Sequence, residues 1–77
     1  MKKLAQNYFK GAVKTNALDL MIFLEEMHEK ELTNDFIILE GETYYLISGI
    51  TKTEIPEECN LEEIISKVRF TSKENDR

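Results

Sequence analysis

The chain has 77 residues, 42% of them apolar and 32% charged, with three Gly, one Pro and one Cys. That length allows one domain of residues 1–77, and the composition excludes disordered, collagen-like and disulfide-built classes. The formal net charge is −5, distributed unevenly. Residues 1–16 hold Lys2, Lys3, Lys10 and Lys14 and no acid, while all fifteen acids and the other six basic residues follow, so a basic arm precedes an acidic body. Such asymmetry points either to a charged partner or to neutralisation of the body by its own arm.

Lysines open the chain, but no apolar stretch follows them as in a secretory signal. The longest apolar run is residues 20–24, far short of the ~20 residues that span a bilayer. Cys59 has no second thiol to pair with. The expectation is a soluble, cytoplasmic protein.

Residues 1–14 form a basic N-terminal arm. Drawn as a short helix over residues 3–14, it puts Lys3, Asn7, Lys10 and Lys14 on one side and Leu4, Ala5, Tyr8 and Ala12 opposite, with Gly11 weakening it by ~1 kcal/mol. The main helix is predicted over residues 17–32. Thr15 or Asn16 is its cap, and with Asn16 in that place Asp19 sits where a carboxylate meets free N–H groups and the positive dipole end. Its first two turns are polar only at Asp19, which predicts cover on more than one side. Further along, Glu26 and Lys30 are placed for an i,i+4 pair.

Asn34 and Asp35 break the helix. Phe36-Ile37-Ile38-Leu39-Glu40 and Thr43-Tyr44-Tyr45-Leu46-Ile47-Ser48 then flank Gly41-Glu42, which predicts a hairpin with a type II′ turn. The register pairs Leu39 with Tyr44, Ile38 with Tyr45, Ile37 with Leu46 and Phe36 with Ile47. One face then carries Phe36, Ile38, Tyr45 and Ile47, the other Ile37, Leu39, Tyr44 and Leu46. Both are apolar, unlike the alternation of a half-buried strand.

Gly49 marks the end of that pattern or a bulge. Residues 51–59 read as a loop, with an extension of the sheet through Ile55 as the alternative. Asn60-Leu61-Glu62-Glu63 has the form of a capping box, and Leu61, Ile64, Ile65 and Val68 continue at helical spacing. Phe70 packs beneath this helix, or residues 68–71 form one more strand. Residues 72–77 are a polar tail expected to fray. The fold class is therefore α+β: one main helix on an antiparallel hairpin, in a small sheet of two or three strands, with a short capped C-terminal helix.

Catalytic chemistry has little to draw on. His28, the one histidine, falls on the apolar stripe and is expected at the core margin. Glu25 and His28 stand at metal-binding spacing, but a di-metal site needs two such pairs, the second from another copy. Cys59 follows Glu57 and Glu58, whose charges raise a thiol pKa. Phosphate loops, zinc-ligand spacings and nucleophile elbows are missing. The expectation is no enzyme, no cofactor, no metal, no membrane and no small-molecule substrate.

The apolar surface exceeds what one helix hides, and this excess predicts a small regulatory or inhibitory protein-interaction module, a homodimer or the partner of another protein. Its contact centres on Phe36, Ile38, Tyr44, Tyr45 and Ile47, unless the second helix or the N-terminal arm covers the second hairpin face. The rival class is linked to nucleic acid. Lys3, Lys10 and Lys14 with Tyr8 and Phe9 offer phosphate contacts and stacking. Conversely Asp19, Glu25, Glu26, Glu29 and Glu31 offer an acidic mimic of nucleic acid.

Overall fold

A computed structural model describes residues 2–71, so the expected tail at 72–77 lies outside the described residues. The order is α1 (Lys2–Tyr8), β1 (Lys14–Asn16), α2 (Ala17–Glu29), β2 (Phe36–Glu40), β3 (Thr43–Ser48), β4 (Thr51–Ile55), β5 (Glu58–Asn60) and α3 (Leu61–Lys67). The class is α+β, with two antiparallel sheets: β2-β3-β4 and the two-stranded β1-β5.

The β2–β3 register matches the sequence pattern pair for pair, from Phe36↔Ile47 to Glu40↔Thr43. Gly41 has φ +63 and Glu42 is not among the described residues of positive φ, the type II′ combination. A second two-residue turn of the same kind follows at Gly49-Ile50. Gly49 has φ +63, and Ser48 pairs with Thr51. Gly49 therefore makes a turn, and residues 51–55 are a third strand rather than a loop.

The N-terminal helix ends earlier than its lysine periodicity suggests. Lys10 takes φ 57, the Gly11 N–H donates to the Gln6 carbonyl at 2.9 Å, and the Lys10 N–H to that of Asn7 at 3.3 Å. This is a Schellman closure. It turns the chain so that β1 can pair with β5, with Thr15 opposite Cys59.

The end of α2 is built likewise. Glu31 has φ 63, its N–H donates to the His28 carbonyl, and the Leu32 N–H donates to that of Met27, both at 2.9 Å. Residues 30–32 are thus a closing turn and not the last turn of a longer helix. Asn16 caps the start, accepting from the Asp19 N–H at 2.8 Å. Asn60 does the same for Glu63 at 2.9 Å. The Glu63 carboxylate lies 3.9 Å from Lys67 Nζ, an i,i+4 pair.

One apolar cluster joins these elements. Leu20, Phe23, Leu24 and Met27 of α2 meet Ile37, Leu46 and Ile55 of the sheet, Leu61, Ile64 and Ile65 of α3, and Ala5 of α1. Each large side chain buried here contributes about 1.5–3 kcal/mol. The cluster lies on one side of β2-β3-β4. Ile37 and Leu46 oppose each other on that side, and Ile55 joins them from β4.

A polar node closes the structure at the end of α3. Asp35, 1% exposed, accepts at Oδ2 from Ser48 Oγ and from the Arg69 N–H, each at 2.7 Å. The Arg69 guanidinium stands 3.5 Å from Oδ1. Thr33 Oγ1 donates to the Arg69 carbonyl at 2.6 Å and accepts from the Asp35 N–H at 3.1 Å. Phe70 is bridged to Thr33 and packs against the core.

Two stability changes follow. Glu31→Gly removes the left-handed penalty at the end of α2 and is expected to raise unfolding free energy by about 0.5–1 kcal/mol in urea titrations. Asp35→Ala strands the part-buried Ser48 hydroxyl and the Arg69 N–H, and should cost about 2–3 kcal/mol in the same assay.

Candidate protein-interaction surface

The three-stranded sheet positions the candidate surface. Phe36 and Ile38 of β2 and Tyr45 and Ile47 of β3 alternate with the core residues; Ile38, Tyr45 and Ile47 face away from α2, while Phe36, at the start of β2, borders Leu24, Glu25, His28 and Glu29 of α2. None of the four belongs to the apolar cluster, and Ile38, Tyr45 and Ile47 do not pack against it. Ile38, Tyr45 and Ile47 are half-buried, and Phe36 is 45% exposed. Covering of the second hairpin face by α3 or by the N-terminal arm does not occur, because both lie with α2 in the core layer. The Ala5 of α1 and the Leu61, Ile64 and Ile65 of α3 are committed to the cluster there.

Lys52 dresses this surface. Its Nζ lies 4.5 Å from the centre of the Tyr45 ring and 2.9 Å from Glu40 Oε1, so it reaches from β4 across Tyr45 to β2. The bond to Glu40 raises the Lys52 pKa. Both side chains are about half exposed, and such pairs contribute little to stability, roughly 0–1 kcal/mol.

Tyr44 parts company with the other four expected contact residues. It faces the core side, half-buried against the cluster, and lines a shallow depression with Asn16, Ala17, Leu18, Glu57 and Glu58. The period-2 register requires this, since Tyr44 and Tyr45 point to opposite faces. Phe36 sits at the margin, beside a second depression lined by Leu24, Glu25, His28, Glu29 and Asn34.

His28 is exposed rather than set in the core margin. Its Nδ1 lies 3.3 Å from the Thr33 carbonyl, which accepts from it. The helix closes one residue later, leaving the last turn open above that depression. Among the described residues, no three His, Cys, Asp or Glu side chains gather where they could hold a metal ion.

The front of α2 is covered on more than one side but not all round, because Leu18 and Ile22 are 48% and 42% exposed. The core reaches only one flank of the helix, and α1 takes the next, with Tyr8 and Phe9 stacked edge-on or tilted against Phe23 at 4.9 and 5.3 Å. Tyr8 also donates to Glu26 Oε2 at 3.2 Å, so Glu26 is engaged by the arm. Burial, that bond and the charges of Glu26 and Asp19 raise the Tyr8 pKa.

The lysines of the arm do not share a helix face. Lys3 lies in α1, Lys10 in the turn after it and Lys14 in β1. The acidic set is spread over α2 and its closing turn. Asp19 accepts from Asn16 Nδ2 at 3.2 Å, Glu25 and Glu29 edge the Phe36 depression, and Glu31 holds the left-handed position.

Cys59 is buried in β5, and its Sγ donates to the Pro56 carbonyl at 3.3 Å. Burial first, then the charges of Glu63 and Glu58, push the thiol pKa up. Protein-family models, curated proteins and solved structures contain no match to the chain. Among the described residues, no helix is long and apolar enough to cross a membrane.

The raised thiol pKa has a pH consequence. The folded state keeps the proton that the unfolded state releases from about pH 8.5 upward, so stability falls as pH climbs above that value. In urea titrations between about pH 7 and 10, Cys59→Ala is expected to show a shallower decline than the parent.

Proposed function

We propose that this chain is a non-catalytic protein-binding module that docks a partner protein on the side of β2-β3-β4 away from α2. The observation that carries the reading is the position of Ile38, Tyr45 and Ile47, large apolar residues outside the core and not packed on it, with Phe36 at their margin. Contiguous apolar area of this kind on a small protein is a contact surface. Tyr45 at its centre supplies the large, stiff side chain that anchors interfaces. Lys52, Glu40 and Glu54 form a polar rim beside it, suited to fixing orientation.

A domain of this size acts on its partner by occupying a surface, which makes the role regulatory or inhibitory. The cytosol suits a chain whose single thiol is buried and protonated, since nothing here asks for an oxidising compartment.

The nucleic-acid alternatives have weaker support. Tyr8 and Phe9, the rings that would stack on bases, are packed on Phe23. Of the acids proposed as phosphate stand-ins, Asp19 and Glu26 already hold local partners.

The test compares immobilised parent protein with Tyr45→Asp and Ile47→Lys, each checked for folding by circular dichroism. The parent should retain a specific protein from extract at about 0.3 M salt, and both variants should lose at least about tenfold of it. Equal retention by all three refutes the reading. So does retention on heparin that disappears when Lys3, Lys10 and Lys14 are changed to Ala, which would move the function to nucleic acid.

A further inference from the structure

β2 is an outer strand. β3 takes one of its edges, and no strand among the described residues takes the other. Open edges template pairing with further strands, and proteins usually blunt them with Lys, Pro, a bulge or an inward charge. The opposite outer strand, β4, is of that kind, reading Thr-Lys-Thr-Glu-Ile. β2 reads Phe-Ile-Ile-Leu-Glu and pairs with β3 over all five residues without a bulge.

The two-residue turn determines which backbone groups face outward. Residues flanking such a turn, here Glu40 and Thr43, exchange both hydrogen bonds, and the ladder alternates from there. Glu40, Ile38 and Phe36 therefore bond to β3, while Ile37 and Leu39 direct their N–H and C=O groups to the open edge.

That pattern is self-complementary. An antiparallel β2 from a second copy, related by a two-fold axis through Ile38, sets Ile37 opposite Leu39 of the other copy, and Leu39 opposite Ile37. Both are hydrogen-bonding pairs, and together they supply four backbone bonds. Phe36 falls opposite Glu40, so no like charges are directly opposed, and the Glu40 charge is already met by Lys52 at 2.9 Å.

Apolar side chains stand exposed on β2 and on the helix packed over it. Leu39 is 51% exposed and Phe36 45% on the strand, and Leu18 and Ile22 stand open on α2, whose main sheet contact is β2. These four leave on the order of 350 Å² of apolar surface per copy. With the strand backbone, two copies bury roughly 1,000–1,200 Å², the lower limit of a specific interface.

We infer that two copies of this chain pair through β2 about Ile38, joining their sheets into one of six strands. The two-fold axis stands perpendicular to the sheet, so both helical layers lie on one side and both outer faces on the other. The docking surface of the protein-binding reading is thereby presented twice. The inference deepens that reading; it rests on the edge of β2 and shares Phe36 and Ile38 with the face but not Tyr45 and Ile47, so each can fail alone.

Sedimentation velocity from about 1 to 200 µM, where a modest interface dissociates, tests it on the full chain. The parent should shift from monomer to dimer across that range. Leu39→Lys, a change at a half-exposed position, should weaken association at least about tenfold, and Tyr45→Asp should leave it unchanged. Amide exchange of the parent gives a readout free of any folding defect: the Ile37 and Leu39 amides should slow at least about tenfold at the high concentration. A parent monomeric throughout, amides indifferent to concentration, or a dimer broken by Tyr45→Asp and spared by Leu39→Lys overturns the edge pairing. Protein capture lost on Tyr45→Asp with a monomeric parent leaves the docking face standing alone.

Discussion

Leu20, Phe23, Leu24 and Met27 of α2 press on Ile37, Leu46 and Ile55, and the rest of the molecule is arranged around that one-sided burial. A sheet with two apolar faces needs a layer on each. Here all three helices among the described residues contribute to the same layer, because α1 and α3 are short and their apolar residues are used to complete the shell around α2. At about 25 cal/mol per Å² that single core offsets the ordering entropy of a chain this size only narrowly. Association that covers the remaining apolar surface is thermodynamically consistent with such a balance.

The connections keep the layer in place by local devices. Two left-handed residues, Lys10 and Glu31, close α1 and α2 where glycine is the usual choice. Both lie at a point where the chain must reverse sharply, once into β1 and once towards β2. Asp35 then ties the start of β2 to Ser48 at the end of β3 and to Arg69 beyond α3. Three segments distant in sequence converge on one buried carboxylate. Gly49 is part of the same corner, since the Arg69 guanidinium passes 3.1 Å from where a Cβ would stand.

The two outer strands of the sheet differ in kind. β4 carries Lys52 and Glu54 outward, the composition of an edge meant for water, whereas β2 is apolar along four of its five residues. Lys52 leans over Tyr45 towards Glu40 and partly screens the outer face with a weak, exposed contact. A cover held so lightly is readily displaced by a partner.

Residues close in sequence made much of this legible. The hairpin register followed from two β-rich runs around Gly41, because side-chain period and turn length leave one pairing that keeps the turn tight. The caps at Asn16 and Asn60 were legible for the same reason, each being a contact across three residues. Pairing of β1 with β5 was not, since three-residue strands carry no periodicity and their partners lie more than forty residues apart. The wheel of α2 showed a broad apolar arc but not which part would be covered, so the exposure of Leu18, Ile22 and His28 emerged only from packing. Local hydrogen bonding and alternation are properties of a segment, and sequence determines them. Which of two equally apolar faces meets the core depends on where the other helices spend their own apolar residues, and only the tertiary structure decides that.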